Sequence, residues 1–205
     1  MKPRIVLATT NAAKLRELEA LLSPWQVEVL AQSAFTSDSV PETGLTFVEN
    51  AILKARHAAA RSGLPAVADD SGIEVDALQG RPGIYSARYA GPGASDADNL
   101  QRLLVELEGV RPDKRSARYR CALAYMRFES DPAPIICQAS WEGCILTEPR
   151  GEGGFGYDPV FRVAGLDLTA AELPATEKNQ LSHRGKALHM LVRELEASGA
   201  LPRRP

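Results

Sequence analysis

The chain has 205 residues, 44% apolar and 24% charged, with 24 Lys and Arg against 26 Asp and Glu. That length can bury a sizeable core, and the composition is that of a globular chain rather than a disordered one. The formal charge of -2 argues against a nucleic-acid or anionic-membrane binder, which carries a basic excess. No apolar run approaches the roughly 18 residues of a membrane span. Thr9, Thr10 and Asn11 cut the first apolar stretch below the roughly 7–15 residues of a secretory signal. A soluble, cytoplasmic protein is expected, with no nucleic-acid or membrane partner.

In chain order, Arg4 to Thr9 reads as a short buried strand. Leu15, Leu18, Leu21 and Leu22 then fall at helical spacing, and Pro24 ends that helix. Gln26 to Ala31 alternates apolar and polar residues, which predicts a second strand and hence a βαβ opening. Thr46 and Glu49 form a capping-box pattern ahead of an alanine-rich helix that Gly63 closes. Ala66 to Ala68 predicts a short strand ending at Asp69-Asp70-Ser71-Gly72, with apolar alternation resuming at Ile73.

Arg81 to Gly93 reads as a loop, and Ser95 to Leu107 as an amphipathic helix carrying Leu100, Leu103, Leu104 and Leu107. Residues 115–130 and 134–147 predict an antiparallel hairpin. A loop with four glycines, Gly151 to Tyr157, precedes a brief strand at Val160 to Val163. A last helix starts near Ser182, buries Leu188, Leu191, Val192 and Leu195, and is stopped by Gly199 and Pro202. With no repeat or linker-like tract, the whole chain, residues 1–205, is expected to be one α/β domain on a mixed sheet with flanking helices. Cys121, Cys137 and Cys144 form no Cys-x-x-Cys pair and read as buried bystander thiols, and the three histidines lack metal-ligand spacing.

Five segments carry candidate chemistry. Thr9-Thr10-Asn11-Ala12-Ala13-Lys14 sits at a strand-to-helix turn, where unpaired N–H groups, hydroxyls and an ammonium suit a phosphate. Without the Walker A glycines it is no P-loop, and an ordinary capped helix is the competing reading. Asp69 and Asp70 point to opposite faces if extended, so their roles differ; one would bind a hard cation or accept a proton, and an Asx-turn is the alternative. Glu42 precedes the capped helix and, with one aspartate and substrate phosphates, suits Mg²⁺; a solvated loop charge is its alternative.

Glycines flanking Phe155 leave its ring open to stack on a base, with Asp158 reading the edge or fixing the loop, unless the ring folds into the core. His183 and Arg184 follow Glu177-Lys178-Asn179 at a helix start, where the macrodipole disfavours cations. An anionic or carbonyl-bearing ligand would compensate them, and extension into water is the alternative. Together the five segments describe phosphate donors, metal carboxylates, a stacking aromatic and carbonyl donors.

These motifs resemble the inosine triphosphate pyrophosphatase family, which hydrolyses non-standard purine nucleoside triphosphates. The matching stretches are Thr9 to Lys14, Glu42 to Ala51, Ala68 to Gly72, Pro82 to Tyr89, Gly154 to Pro159 and Ser182 to Gly185, in family order across nearly the whole chain. The resemblance implies an elongated, two-lobed fold with the active-site cleft between the lobes, a homodimer, dependence on Mg²⁺, and nucleoside monophosphate and pyrophosphate as products.

Carried over by position, Thr9, Thr10, Asn11 and Lys14 hold the triphosphate. Asp70 accepts the proton, Glu42 and Asp70 sit at the metal, and Ser71 lies beside the substrate. Phe155 stacks on the base, Gly156, Tyr157 and Asp158 line its pocket, and Lys178, His183 and Arg184 complete the base and sugar side. Thr10 stands where the family often has glycine, and Pro41 where a further acid can occur. The competing functions are a related nucleotide pyrophosphatase with another base preference and a non-hydrolytic nucleotide-binding protein.

Overall fold

The computed structural model of the chain describes residues 2–9 and 11–201. β1 (Arg4–Leu7) buries Ile5, Val6 and Leu7 completely or nearly so. α1 (Ala12–Leu22) buries Leu18 and Leu22, and a 3-10 turn at Ser23–Trp25, containing Pro24, ends it. β2 (Glu28–Ala31) completes the expected βαβ opening and lies parallel to β1. α2 (Phe47–Ser62) starts at Thr46, whose hydroxyl accepts the Glu49 N–H, and closes at Gly63.

β3 (Ala66–Val75), α3 (Asp96–Glu106), β4 (Ser116–Met126), β5 (Ile135–Ile145), β6 (Phe161–Val163), α4 (Ala175–Leu181) and α5 (His183–Ala197) follow. Among the described residues, six strands form one sheet in the order β2-β1-β3-β4-β5-β6. β3 runs parallel to β1 and β6 antiparallel to β5, so the sheet is mixed, as expected of this α/β chain. β4 and β5 are neighbours, as the hairpin reading requires.

Two local expectations are corrected. Asp69-Asp70-Ser71-Gly72 does not end a strand; it lies inside β3, which runs unbroken from Ala66 to Val75. Two buried carboxylates are tolerated there because each meets an ammonium. The Arg81–Gly93 loop contains a 3-10 helix at Gly83–Arg88. Lys178 lies on α4, a seven-residue helix too short to show an apolar period. The stop read at Pro202 lies outside the described residues.

The chain separates into two compact units. The first comprises Met1–Asp70, Ala122–Gln138 and Ala187–Pro205. Its core is made of small side chains: Ala51 and Ala55 of α2 meet Ala68, Ala122, Ala124 and Met126, while Ala58 and Ala59 meet Val6 and Ala66. Alanines at 51, 55 and 58 share a face of α2 and let its backbone approach the sheet closely.

The second comprises Ser71–Cys121 and Ala139–Lys186 and has a larger, aromatic core. Tyr119 and Trp141 both pack against Phe161, with ring centroids 4.7 and 5.4 Å apart, and Leu103 and Leu107 bury the apolar stripe of α3. Buried Arg115 donates to the carbonyls of Leu107, Val110 and Leu146, closing the C-terminal end of α3.

Cys121 and Cys137 are buried, Cys144 is half-buried, and none of the three is in a disulfide; burial pushes Cys137 up to about 11. Among the described residues no helix is long and apolar enough to cross a membrane.

Candidate active site

In the first unit, the predicted phosphate turn joins β1 to α1. The Thr9 hydroxyl accepts the Asn11 N–H at 3.1 Å and the Asn11 side-chain amide oxygen Oδ1 accepts the Lys14 N–H at 3.4 Å. Polar side chains therefore organise the first turn of α1, and the dipole of a helix N-terminus favours an anion. Thr10 lies outside the described residues. The Lys14 ammonium is 2.5 Å from Asp69, whose carboxylate is almost wholly buried.

Asp70 faces differently, as alternation along an extended strand demands. Its carboxylate lies 2.7 Å from the Lys54 ammonium and accepts a 3.4 Å hydrogen bond from the Asn50 amide. Glu42 reaches the same ammonium at 3.0 Å, so it is not a merely solvated loop charge. Burial raises the Asp70 pKa from its ordinary value, against the lowering effect of Lys54, while Glu42 adds to the rise. Burial also opposes the charge on Lys54, but Asp70 and Glu42 outweigh it and hold the ammonium protonated. The result is a carboxylate whose proton affinity is increased although a cation touches it.

The donor set fits Mg²⁺. Glu42 and Asp70 present hard oxygen donors to one cationic point, now taken by Lys54 Nζ, whereas Asp69 is engaged by Lys14. Glu49 is also engaged: its carboxylate accepts the Leu45 N–H at 2.8 Å and the Thr46 hydroxyl at 3.0 Å, and these bonds lower its pKa. Among the described residues no three His, Cys, Asp or Glu side chains gather as a ready-made metal cage. Water and substrate oxygens would fill the remaining positions, as is usual for Mg²⁺.

The second unit holds the base-side candidates. Phe155 is 70% exposed, so its ring does not fold into the core. Gly154, at φ +77°, makes this possible: a Cβ there would collide with the Asp158 carboxylate. Buried Asp158 accepts the Phe155 N–H at 2.7 Å and the Lys178 ammonium at 2.5 Å. The same ammonium stands 4.9 Å from the centre of the Phe155 ring.

Tyr119 donates its hydroxyl to Asp158 at 3.2 Å; burial, then Asp158, raises its pKa far enough to keep it a donor. Its ring stacks on the His183 imidazole at 4.8 Å and 8°. His183 is thus packed on an aromatic instead of extending into water, and Arg184 follows it on α5, also half-buried. Tyr157 is buried, with its hydroxyl on the Ser86 carbonyl at 2.8 Å. Ser71 is exposed on β3.

Comparison with known proteins decides the family. The profile of the Ham1 family matches residues 5–194. The chain belongs to the Ham1 family. It is 59% identical over 197 residues to a dITP/XTP pyrophosphatase of Vibrio parahaemolyticus, covering 96% of this chain and 98% of that one. A dITP/XTP pyrophosphatase of Escherichia coli O157:H7 is 57% identical, over 92% of this chain and 96% of its own. Among solved structures, a HAM1 protein from Coxiella burnetii matches with a TM-score of 0.91 at 50% identity, covering 95% of this chain and 99% of that one. The Staphylococcus aureus Ham1 protein matches with a TM-score of 0.88 at 39% identity, over 95% and 99% of the two chains. The resemblance drawn from the motifs is thereby borne out.

This Ham1 chain also gathers residues that motif reading left without a role. Asn50 and Lys54 stand four apart on α2 and both reach Asp70. A polar pair at helical spacing beside an alanine face is the signal that could have found them. Tyr119 gave no comparable signal, since an aromatic in a strand reads as core.

Proposed function

We propose that this Ham1 chain is an Mg²⁺-dependent enzyme that hydrolyses non-standard purine nucleoside triphosphates, ITP, dITP and XTP, to nucleoside monophosphate and pyrophosphate, cleansing the nucleotide pool. The observation that carries this reading is buried Asp70, its pKa raised, sharing one cation with Glu42. The activity by which its relatives are named, dITP/XTP pyrophosphatase, supports the substrate class. The proposal places the enzyme in the cytoplasm as a homodimer.

In this mechanism Thr9, Thr10, Asn11 and the first turn of α1 bind the triphosphate, and Ser71 lies beside it. Lys14 exchanges Asp69 for phosphate oxygens and stabilises the charge that develops on them. Bound to Glu42 and Asp70, Mg²⁺ would supply neutralisation of the triphosphate charge. Asp70 takes the proton of a water that attacks the α-phosphorus; the α–β anhydride bond breaks and pyrophosphate leaves with its electron pair. Asn50 holds Asp70 in place through this transfer.

Phe155 stacks on the base, and Gly156, Tyr157, Asp158, Lys178, His183 and Arg184 line its pocket. A guanidinium only donates hydrogen bonds, so Arg184 donates to the 6-oxo group of hypoxanthine or xanthine and meets a second donor in the 6-amino group of adenine.

Pyrophosphate release from ITP, with and without Mg²⁺, tests the proposal in wild type and Asp70→Asn. The variant is expected to fold normally and to lose about 10²–10⁴-fold in turnover, the usual contribution of a general base. Near-normal turnover would remove Asp70 from that role.

A further inference from the structure

The Phe155 loop has a tether that the reading above does not use. Asp96, 60 residues away in sequence, accepts the Gly156 N–H on its carboxylate at 2.8 Å. We propose that Asp96 is a positioning residue for nucleotide binding, holding the exposed Phe155 ring in place from the N-terminus of α3. This rests on Phe155 being the base-stacking side chain.

Three observations support the assignment. First, Asp96 is not needed to start its own helix. Ser95 caps α3 by accepting the Asp98 N–H, and Asp98 in turn accepts the Ser95 N–H at 2.9 Å and hydroxyl at 2.6 Å. A carboxylate in the first turn still suits the helix dipole, so Asp96 can be directed at the loop without cost to α3.

Second, α3 is a firm support. Leu103 and Leu107 are buried in the core of the second unit. Buried Asn99 accepts the Ala90 N–H at 2.8 Å and donates to the Ala87 carbonyl at 3.2 Å. The motif Pro82 to Tyr89, which carried part of the family resemblance but received no role, ends on this anchor.

Third, the loop needs external anchoring. Glycines in the left-handed region stand on both sides of Phe155, Gly154 at φ +77° and Gly156 at φ +61°. Each lowers the barrier to other backbone conformations. Asp158 holds the Phe155 N–H and Ser86 holds the Tyr157 hydroxyl, and Asp96 holds the residue between. An exposed ring makes few contacts of its own, so its position depends on these backbone ties. A platform fixed before binding loses less conformational freedom when the base arrives.

The test uses the full chain as wild type, Asp96→Ala and Asp96→Asn. Two readouts are made: KM and kcat for ITP by pyrophosphate release, and hydrogen exchange of the Gly156 amide by NMR. Asp96→Ala is expected to raise KM about tenfold with kcat changed less than about threefold, the size of one lost hydrogen bond. Its Gly156 amide should exchange at least tenfold faster, with the melting temperature held by the Ser95 cap. Asp96→Asn offers an amide oxygen to the same N–H and is expected to restore both KM and protection.

A KM for Asp96→Ala within twofold of wild type overturns the proposal, as does Asp96→Asn being as impaired as Asp96→Ala. Unchanged Gly156 exchange in Asp96→Ala overturns it independently of any activity. If wild type releases no pyrophosphate from ITP but the exchange pattern holds, the tether stands and the assigned reaction is what fails.

Discussion

Asp69 and Asp70 are chain neighbours whose carboxylates end in different surroundings, because an extended strand turns successive side chains to opposite faces. Asp69 is neutralised by one ammonium from α1, whereas Asp70 shares its ammonium with Glu42 and feels burial more than pairing. Adjacent aspartates in a sequence do not reveal which has the raised proton affinity; their partners do. At Phe155 the deciding quantity is exposure. A ring 70% exposed contributes little to the core, so Phe155→Ala should leave the melting temperature unchanged. If the ring stacks on the base, the variant loses about 1–3 kcal/mol of nucleotide binding, read as a higher KM for ITP. An unchanged KM would exclude stacking.

Among the elements, α2 was the most legible in sequence because its ends are written locally. Thr46 caps it, Glu49 returns to Leu45 and Thr46, and Gly63 closes it. Thr46→Ala should cost about 1 kcal/mol in urea unfolding, the usual loss for a removed cap. A change below about 0.3 kcal/mol would show that packing of the alanine face, not the cap, sets the stability of α2. The continuity of β3 and the existence of α4 were not legible. Acids and Ser-Gly resemble a turn until their partners are known, and seven residues are too few for a period to appear.

The connection between β4 and β5 supplies a pH-dependent element. The Asp131 side chain, 1% exposed, accepts hydrogen bonds from the Arg127 side chain and backbone and from the Ala133 N–H. The Arg127 side chain, followed by these backbone donors, holds its carboxyl well below the usual carboxylate range. A depressed folded-state pKa gives stability that is full above the unfolded value of about 3.9 and fades as pH falls below it. Asp131→Asn should therefore lower the melting temperature at pH 7, by about 2 kcal/mol in stability, and the gap to wild type should narrow below about pH 4. A gap that stays constant from pH 7 to pH 3 would show that Asp131 acts through shape and not charge.

For the whole molecule, the expected selectivity is that ITP and XTP exceed ATP in kcat/KM, because the donors assigned to the base side suit a 6-oxo group. Equal kcat/KM for ITP and ATP would remove Arg184 as the discriminator, and GTP in the same series reads what the 2-amino group costs.

The near-neutral charge of the chain gave no hint of these sites, because it averages over opposite charges that are locally concentrated. Short-range signals were enough for the strands other than the full length of β3, and for the caps, the alanine helix and the motif order that placed the chain in its family, since each depends on residues a few positions apart. Long-range pairing was needed to join Lys54 to Glu42 and Asp70, to stack Tyr119 on His183, and to tie Asp96 to Gly156. Those contacts link residues 12 to 64 positions apart, and packing of helices on the sheet brings them within bonding distance. No periodicity or spacing in the chain encodes such distances, so the charge balance at Asp70 and the anchoring of the base platform emerge only when the core is assembled.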